Sequence, residues 1–143
     1  MKQLVMWLAA VGLVSISLYG TTGSNKQYAI DERQRIFSSL EDELDAINRK
    51  SDLSTLTPTI ANLAEDVGNL KNLFPQGSKD GSSSRRSVWT KNAKFVTKLD
   101  SLHTYVEGMH QSLSAGDEEQ FWQHKKQAES TCKGCHMRFR SIF

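Results

Sequence analysis

Between Tyr28 and Asn48 the positions Ile30, Arg33, Phe37, Leu40, Leu44 and Ile47 recur at spacings of three and four. That is the stripe an α-helix buries against its partners. A second helix is signalled by Thr57 as N-cap with Pro58 at the first helical position, and its stripe is Ile60, Leu63, Val67, Leu70 and Leu73, ending at Pro75. Gln76 to Ser87 holds two Gly and five Ser among charged residues and reads as a solvated crossover, with Arg85 and Arg86 on its solvent face. The third stretch runs from Val88 to Ser114, with Trp89, Val96, Leu99, Val106 and Leu113 on one face and Leu102 and Met109 beside them. Ala115 and Gly116 end it, and Asp117 caps a fourth helix whose buried side is Phe121, Ala128, Cys135 and Phe139. No alternating strand pattern interrupts the series. The expected fold is all-α, an antiparallel four-helix bundle with a longer crossover between helices 2 and 3.

The chain opens differently. Lys2 precedes an apolar run from Leu4 to Leu18, followed by Gly20, Thr21, Thr22, Gly23 and Ser24. This is the order of a secretory signal, and the run falls short of the roughly 20 residues of a membrane-spanning helix. A retained anchor is the competing reading. With a cut after Gly23, residues 1–23 are a signal peptide and 24–143 the mature domain; Leu18 with Gly20 would place the cut earlier.

Composition narrows the rest. The 143 residues are 38% hydrophobic and 24% charged, within the range of one ordinary globular domain, and two cysteines cannot staple a disulfide-rich one. Eighteen Lys and Arg against 16 Asp and Glu leave a net +2, and their scatter gives no basic stripe for nucleic acid or an acidic membrane. Arg33 is the one charge in the first apolar stripe. It either snorkels at the bundle end or meets a buried anion.

The chemistry is concentrated in Cys132-Lys133-Gly134-Cys135-His136, a C-x-x-C-H attachment signature for c-type haem. On a helix, positions i and i+3 share a face, so both thiols can form thioethers to haem vinyl groups while His136 turns a ring nitrogen to the iron. Gly134 would let the chain lie close to the porphyrin edge. Three other readings use the same residues. A thiol-disulfide redox centre ordinarily opens a helix after a strand. A zinc site needs two more ligands, for which His103, His110 and His124 are loose candidates. A plain disulfide would close a loop too short to stabilise much and would leave His136 without a role. Export suits a c-type cytochrome, whose haem is attached outside the cytoplasm.

From Tyr28 to Phe143 the chain resembles the cytochrome c′ family of class II c-type cytochromes. The resemblance rests on the C-terminal CKGCH with Phe139 and Arg140 after it, Arg33-Gln34 in the first helix, and Leu73-Phe74-Pro75-Gln76-Gly77-Ser78 after the second. Trp89 opening the third helix and Ala115-Gly116-Asp117 before the fourth complete it. Most other c-type cytochromes carry the haem signature near the N-terminus.

The resemblance implies one covalent haem c, held by Cys132 and Cys135 with His136 as proximal iron ligand. It implies that Arg33 contacts a haem propionate, that Arg140 is the basic residue beside the proximal histidine, and that Phe37 covers the distal face. Low-spin relatives place a Met in the first helix, and no Met occurs between Gln27 and Arg49. The implied iron is therefore five-coordinate and high-spin, open to NO and CO, whereas O2 would find no hydrogen-bond donor in a phenyl ring. The implied protein is periplasmic and not an enzyme. It works in gas binding and NO protection or in electron transfer with a redox partner protein, and a homodimer through the first two helices is common in the family. Alternatives are a six-coordinate electron carrier, with Met109, His103 or His110 as second ligand, and a haem-free thiol oxidoreductase. Met137 adjoins His136 and cannot reach the opposite face of the ring. Relatives often have a Pro in the loop before Trp89, where this chain has Ser83-Ser84-Arg85-Arg86-Ser87.

Overall fold

The computed structural model describes residues 21–141, so the apolar run from Leu4 to Leu18 lies outside the described residues. Four long helices form the expected bundle: α1 (Thr21–Ala46), α2 (Thr57–Asn69), α4 (Asn92–Ala115) and α5 (Glu118–Phe139), with a single turn, α3 (Ser87–Thr90), before α4. A 3-10 turn, Leu70–Leu73, extends α2 towards Pro75. Among the described residues no helix is long and apolar enough to cross a membrane.

Local signals act as the sequence predicts at most helix ends. The Asp117 carboxylate accepts from the Gln120 N–H at 3.0 Å, and Glu118 and Glu119 sit at the positive end of the α5 dipole. Gly116 closes α4 at φ 69°, in the left-handed region that favours glycine. Thr57 is the first residue of α2 rather than its cap: the position before it is Leu56, whose carbonyl accepts from Ile60 N–H at 2.9 Å.

The expected third helix is broken in two. Lys91 leaves helical geometry at φ −124° and ψ 39°. Val88 is buried in the core, and the Trp89 indole donates to the carbonyls of Phe74 and Pro75, each at 3.1 Å. These anchors tie α3 to the preceding loop, and α4 sets out on its own line.

The core is built from Ile36, Leu40 and Leu44 of α1, Ile60, Leu63 and Val67 of α2, Leu99, Leu102, Val106 and Met109 of α4, and Phe121, Ala128 and Phe139 of α5. Ile36 and Phe95 are core residues outside the predicted stripes, whereas Val96 and Leu113 are only half-buried. The α4 helix packs along both α2 and α5, while α1 leans on α2 and its 3-10 extension rather than on α5. A cleft is left between α1 and the α4–α5 pair.

The crossover is less solvated than its composition predicts. Ser78 is completely buried, and residues 83–87 pair with the end of α5: Arg85 N–H donates to the Phe139 carbonyl at 2.8 Å and Ser141 N–H to the Ser83 carbonyl at 2.7 Å. Backbone hydrogen bonds between segments so distant in sequence leave no local trace.

Candidate haem site

The cleft is a cavity of about 760 Å³ with three walls. α1 contributes Arg33, Gln34, Phe37, Ser38, Leu40, Glu41, Leu44 and Asp45. α4 contributes Phe95, Lys98, Leu99 and Leu102, and α5 contributes Cys132, Cys135, His136, Met137, Phe139 and Arg140 among others. One end is closed by aromatic rings in edge contact: Phe74 to Phe95 at 4.6 Å and Phe95 to Phe139 at 5.2 Å between centroids. Cys132, Cys135, His136, Arg33, Phe37 and Arg140 therefore all line one cavity. Of the expected site features, Gly134 alone stands apart. It does not line the cavity, and a Cβ built on it meets nothing within 4 Å, so the protein gives no steric reason for glycine there.

Arg33 is 2% exposed. Its Nη1 donates to the Leu73 carbonyl at 2.7 Å and to Ser78 Oγ at 2.9 Å, and its Nη2 donates to the Ser78 carbonyl at 2.6 Å. The guanidinium also stacks over the Phe74 ring at 4.6 Å. Burial pulls its pKa below the usual arginine value, yet arginine stays charged in proteins. No carboxylate is among these partners, so Arg33 is a buried cation on the cavity wall without an ion-pair partner among the described residues. It does not snorkel.

The two thiols are free and half-buried. Burial, the largest influence, pushes Cys135 up to about 11 and Cys132 above its ordinary value as well. A redox-active C-x-x-C pair works through a lowered thiol pKa, so this environment is the reverse of what a thiol oxidoreductase needs. Burial, followed by the charge of Arg140, pulls the His136 imidazolium down, against a smaller opposing effect of Glu41. The neutral imidazole that a metal requires is thus favoured.

The other candidate ligands lie elsewhere. Met109 is fully buried in the core, and neither it nor His103 nor His110 lines the cavity. The His103 ring packs over Gly68 of α2, and the His110 ring is 3.9 Å from the Glu107 carboxylate. Among the described residues no group of three His, Cys, Asp or Glu side chains could hold a metal ion, which leaves the zinc reading without its further ligands. Glu41 and Lys98, polar members of the cavity wall, sit on positions that periodicity marks only as helix surface.

The profile of the family described as cytochrome C′ matches residues 28–140. The chain belongs to the cytochrome c′ family. No curated protein matches its sequence, but solved cytochrome c′ structures share its fold. That of Rubrivivax gelatinosus is 22% identical, covers 79% of this chain and 94% of its own, and superposes at a TM-score of 0.71. That of Thermochromatium tepidum is 13% identical, with 81% and 97% covered and a TM-score of 0.75. A mutant of cytochrome c prime from Alcaligenes xylosoxidans, solved as its nitric oxide complex, is 17% identical, with 82% and 97% covered and a TM-score of 0.74. Cytochrome c′ proteins bind haem c covalently, and haem c is the cofactor of this chain. The cavity fits such a group: its volume lies in the range of small-molecule sites, two thiols one helical turn apart and a neutral imidazole face it, and a buried cation stands ready for an acidic substituent.

Proposed function

We propose that the protein is an exported cytochrome c′ that binds NO and CO at a five-coordinate, high-spin haem and is not an enzyme. Cys132 and Cys135 form the thioethers and His136 is the proximal ligand. Arg33 neutralises a propionate, Arg140 adds positive charge beside His136, and Phe37 covers the distal side. The observation that carries this reading is the composition of the α1 wall. Its lining residues offer Phe37 and no thioether or imidazole, so the chain supplies no second strong iron ligand from that side.

When bound, the haem supplies an iron with one coordination position free for a diatomic gas. The chain's residues do the rest. His136 offers a neutral ring nitrogen because burial and Arg140 oppose its protonation. Phe37, half-buried against the core, limits the space for a ligand and provides no hydrogen-bond donor, which disfavours O2 relative to NO and CO. The nitric oxide complexes of the Alcaligenes xylosoxidans protein support gas binding as the family's chemistry. Export agrees with the apolar leader and with haem attachment outside the cytoplasm. A homodimer through α1 and α2 is proposed from the family resemblance.

The test is the absorption spectrum of the purified holoprotein, oxidised and reduced, before and after CO. High-spin bands that shift at once with CO are expected. Low-spin bands indifferent to CO would mean an internal sixth ligand and would replace gas binding with electron carriage.

A further inference from the structure

The cavity is longer than the stretch marked out by its haem-binding residues. Those residues run from Arg140 through His136 to Cys132 on α5 and from Arg33 to Phe37 on α1, yet the walls continue to Glu129 and to Leu44 and Asp45. Contacts between the helices fix which positions face one another. The Phe95 ring of α4 meets Phe139 of α5, and Gly108 meets the His124 ring, so Leu102, midway between Phe95 and Gly108, stands level with Cys132. Beyond the far end of α1 the Arg49 guanidinium stacks 4.5 Å over the Trp122 ring. Counting back from that contact along antiparallel helices brings Leu44 level with Gln127 and Ala128, about 6 Å past Cys132 on the side away from His136. This end of the cavity is floored by Leu40, Leu44 and Leu102, all buried. On its α5 side the polar groups are engaged: Thr131 Oγ donates to the Gln127 carbonyl at 2.9 Å, and buried Lys125 pairs with Glu129. Glu41 and Asp45 are exposed at the mouth, and the Arg49–Trp122 stack closes the end.

We infer that the far end of the cavity, beyond Cys132, is a docking pocket for an uncharged diatomic gas, occupied on the way to and from the iron. Thioethers at Cys132 and Cys135 tether one edge of the haem, and Arg33 draws the acidic edge the opposite way. The macrocycle then covers the stretch from Arg33 to Cys132 and leaves the leucine floor beyond it uncovered. A space lined by leucine that offers no hydrogen-bond partner stays dry and takes up a small apolar species. NO and CO are such species. An anion entering the same space would pass the carboxylates of the mouth and lose its hydration against leucine. Leu40 follows Phe37 by three positions and shares its helix face, so the pocket opens beside the residue that covers the distal side. Gas held there reaches the iron past the edge of the Phe37 ring.

The inference rests on the gas-binding reading proposed above, and the experiment separates the two. A haem-loaded protein that ignores CO would fault that reading, whereas xenon reads the pocket independently. The probe is xenon, added to holoprotein with isotope-labelled leucine methyl groups. Saturable shifts of the Leu40, Leu44 and Leu102 methyl resonances are expected. Leu44→Phe fills the pocket from α1 and Leu102→Phe fills it from α4, so either variant carries the test. Both should lose the xenon shifts and slow CO uptake and CO release by about tenfold each, with affinity unchanged, because a blocked transit site raises both barriers equally. Leu44→Met keeps the volume and should behave as wild type. The absence of saturable shifts in a haem-loaded protein, shifts confined to other residues, or wild-type CO kinetics in both filled variants would overturn the proposal. So would a loss of CO affinity in the filled variants, which would make these leucines part of the iron site itself.

Discussion

Arg33 on α1 and Ser78 in the crossover are joined twice, through Ser78 Oγ at 2.9 Å and the Ser78 carbonyl at 2.6 Å, and both residues are buried. Ser78 Oγ in turn donates to the Pro75 carbonyl at 2.8 Å. Together with the bond from Arg33 to the Leu73 carbonyl, these contacts pin the loop against the helix that forms one cavity wall. Ser78→Ala removes the hydroxyl and leaves its partners one contact short, and a loss of about 1–2 kcal/mol is expected. Arg33→Ala takes a donor from the Leu73 carbonyl and one from the Ser78 carbonyl, which keeps only a longer bond from Ser82 Oγ at 3.3 Å, and it opens space, so it should cost about 3 kcal/mol or more. Denaturant midpoints of the holoproteins measure both. A larger loss for Ser78→Ala would remove Arg33 from its place as the centre of the latch.

Phe37 faces the cavity while its neighbour Ile36 turns into the core. Replacing the ring by histidine puts an imidazole on the wall opposite α5, and Phe37→His is expected to give low-spin bands and to bind CO slowly. Phe37→Ala should remain high-spin and take up CO about tenfold faster, the effect of removing a barrier of roughly 1.4 kcal/mol. Stopped-flow mixing with CO distinguishes the two. If both variants behaved as wild type, Phe37 would not cover the iron.

The contrast between Ile36 and Phe37 illustrates how far the sequence could be read. Periodicity identified the α1 stripe from Ile30 to Ile47, but two adjacent apolar residues satisfy it almost equally, and the packing of α1 on α2 and its 3-10 extension decides which enters the core. The cap at Asp117 was legible because it is made within four residues. The break at Lys91 was not, since its cause is the Trp89 indole reaching back to Phe74 and Pro75. Arg85 and Arg86 read as the solvated face of a loop; their proximity to Arg138 and Arg140 comes from backbone bonds between distant segments. The C-x-x-C-H residues were legible outright, because one helical turn suffices to bring them to one face.

The thiol environment predicts a pH dependence in the haem-free chain. Burial pushes Cys135 from 9.0 up to about 11, so the folded state disfavours the thiolate and the unfolded state does not. Below about pH 9 the group is neutral in both states and its protonation costs nothing. As pH rises from there towards about 11, the unfolded chain loses its proton first, and the folded haem-free protein becomes less stable. At neutral pH, alkylation by iodoacetamide should be roughly a hundredfold slower in the folded chain than in urea, since the thiolate is the reactive form. Equal rates in both states would mean an accessible, activated thiol and would revive the oxidoreductase reading.

Two glycines separate packing inside the protein from packing against the haem. A Cβ on Gly108 of α4 would lie 2.6 Å from Cε1 of the His124 ring on α5 and 2.7 Å from each of its nitrogens. The ring is hemmed in rather than tethered: its Nδ1 is buried without a hydrogen-bond partner among the described residues, and the Tyr105 ring lies beside it at 6.4 Å between centroids. Gly108→Ala should therefore force the two helices apart and cost about 1–3 kcal/mol, with or without haem. A Cβ on Gly134 meets nothing within 4 Å, and alanine is the better helix former by about 1 kcal/mol. Gly134→Ala is thus expected to stabilise the haem-free chain slightly and to leave haem attachment intact, as read from urea midpoints and the yield of covalent haem. If Gly134→Ala instead lowered the haem yield while the haem-free chain stayed as stable as wild type, the glycine would serve the approach of the porphyrin, a contact made only once the cofactor is in place.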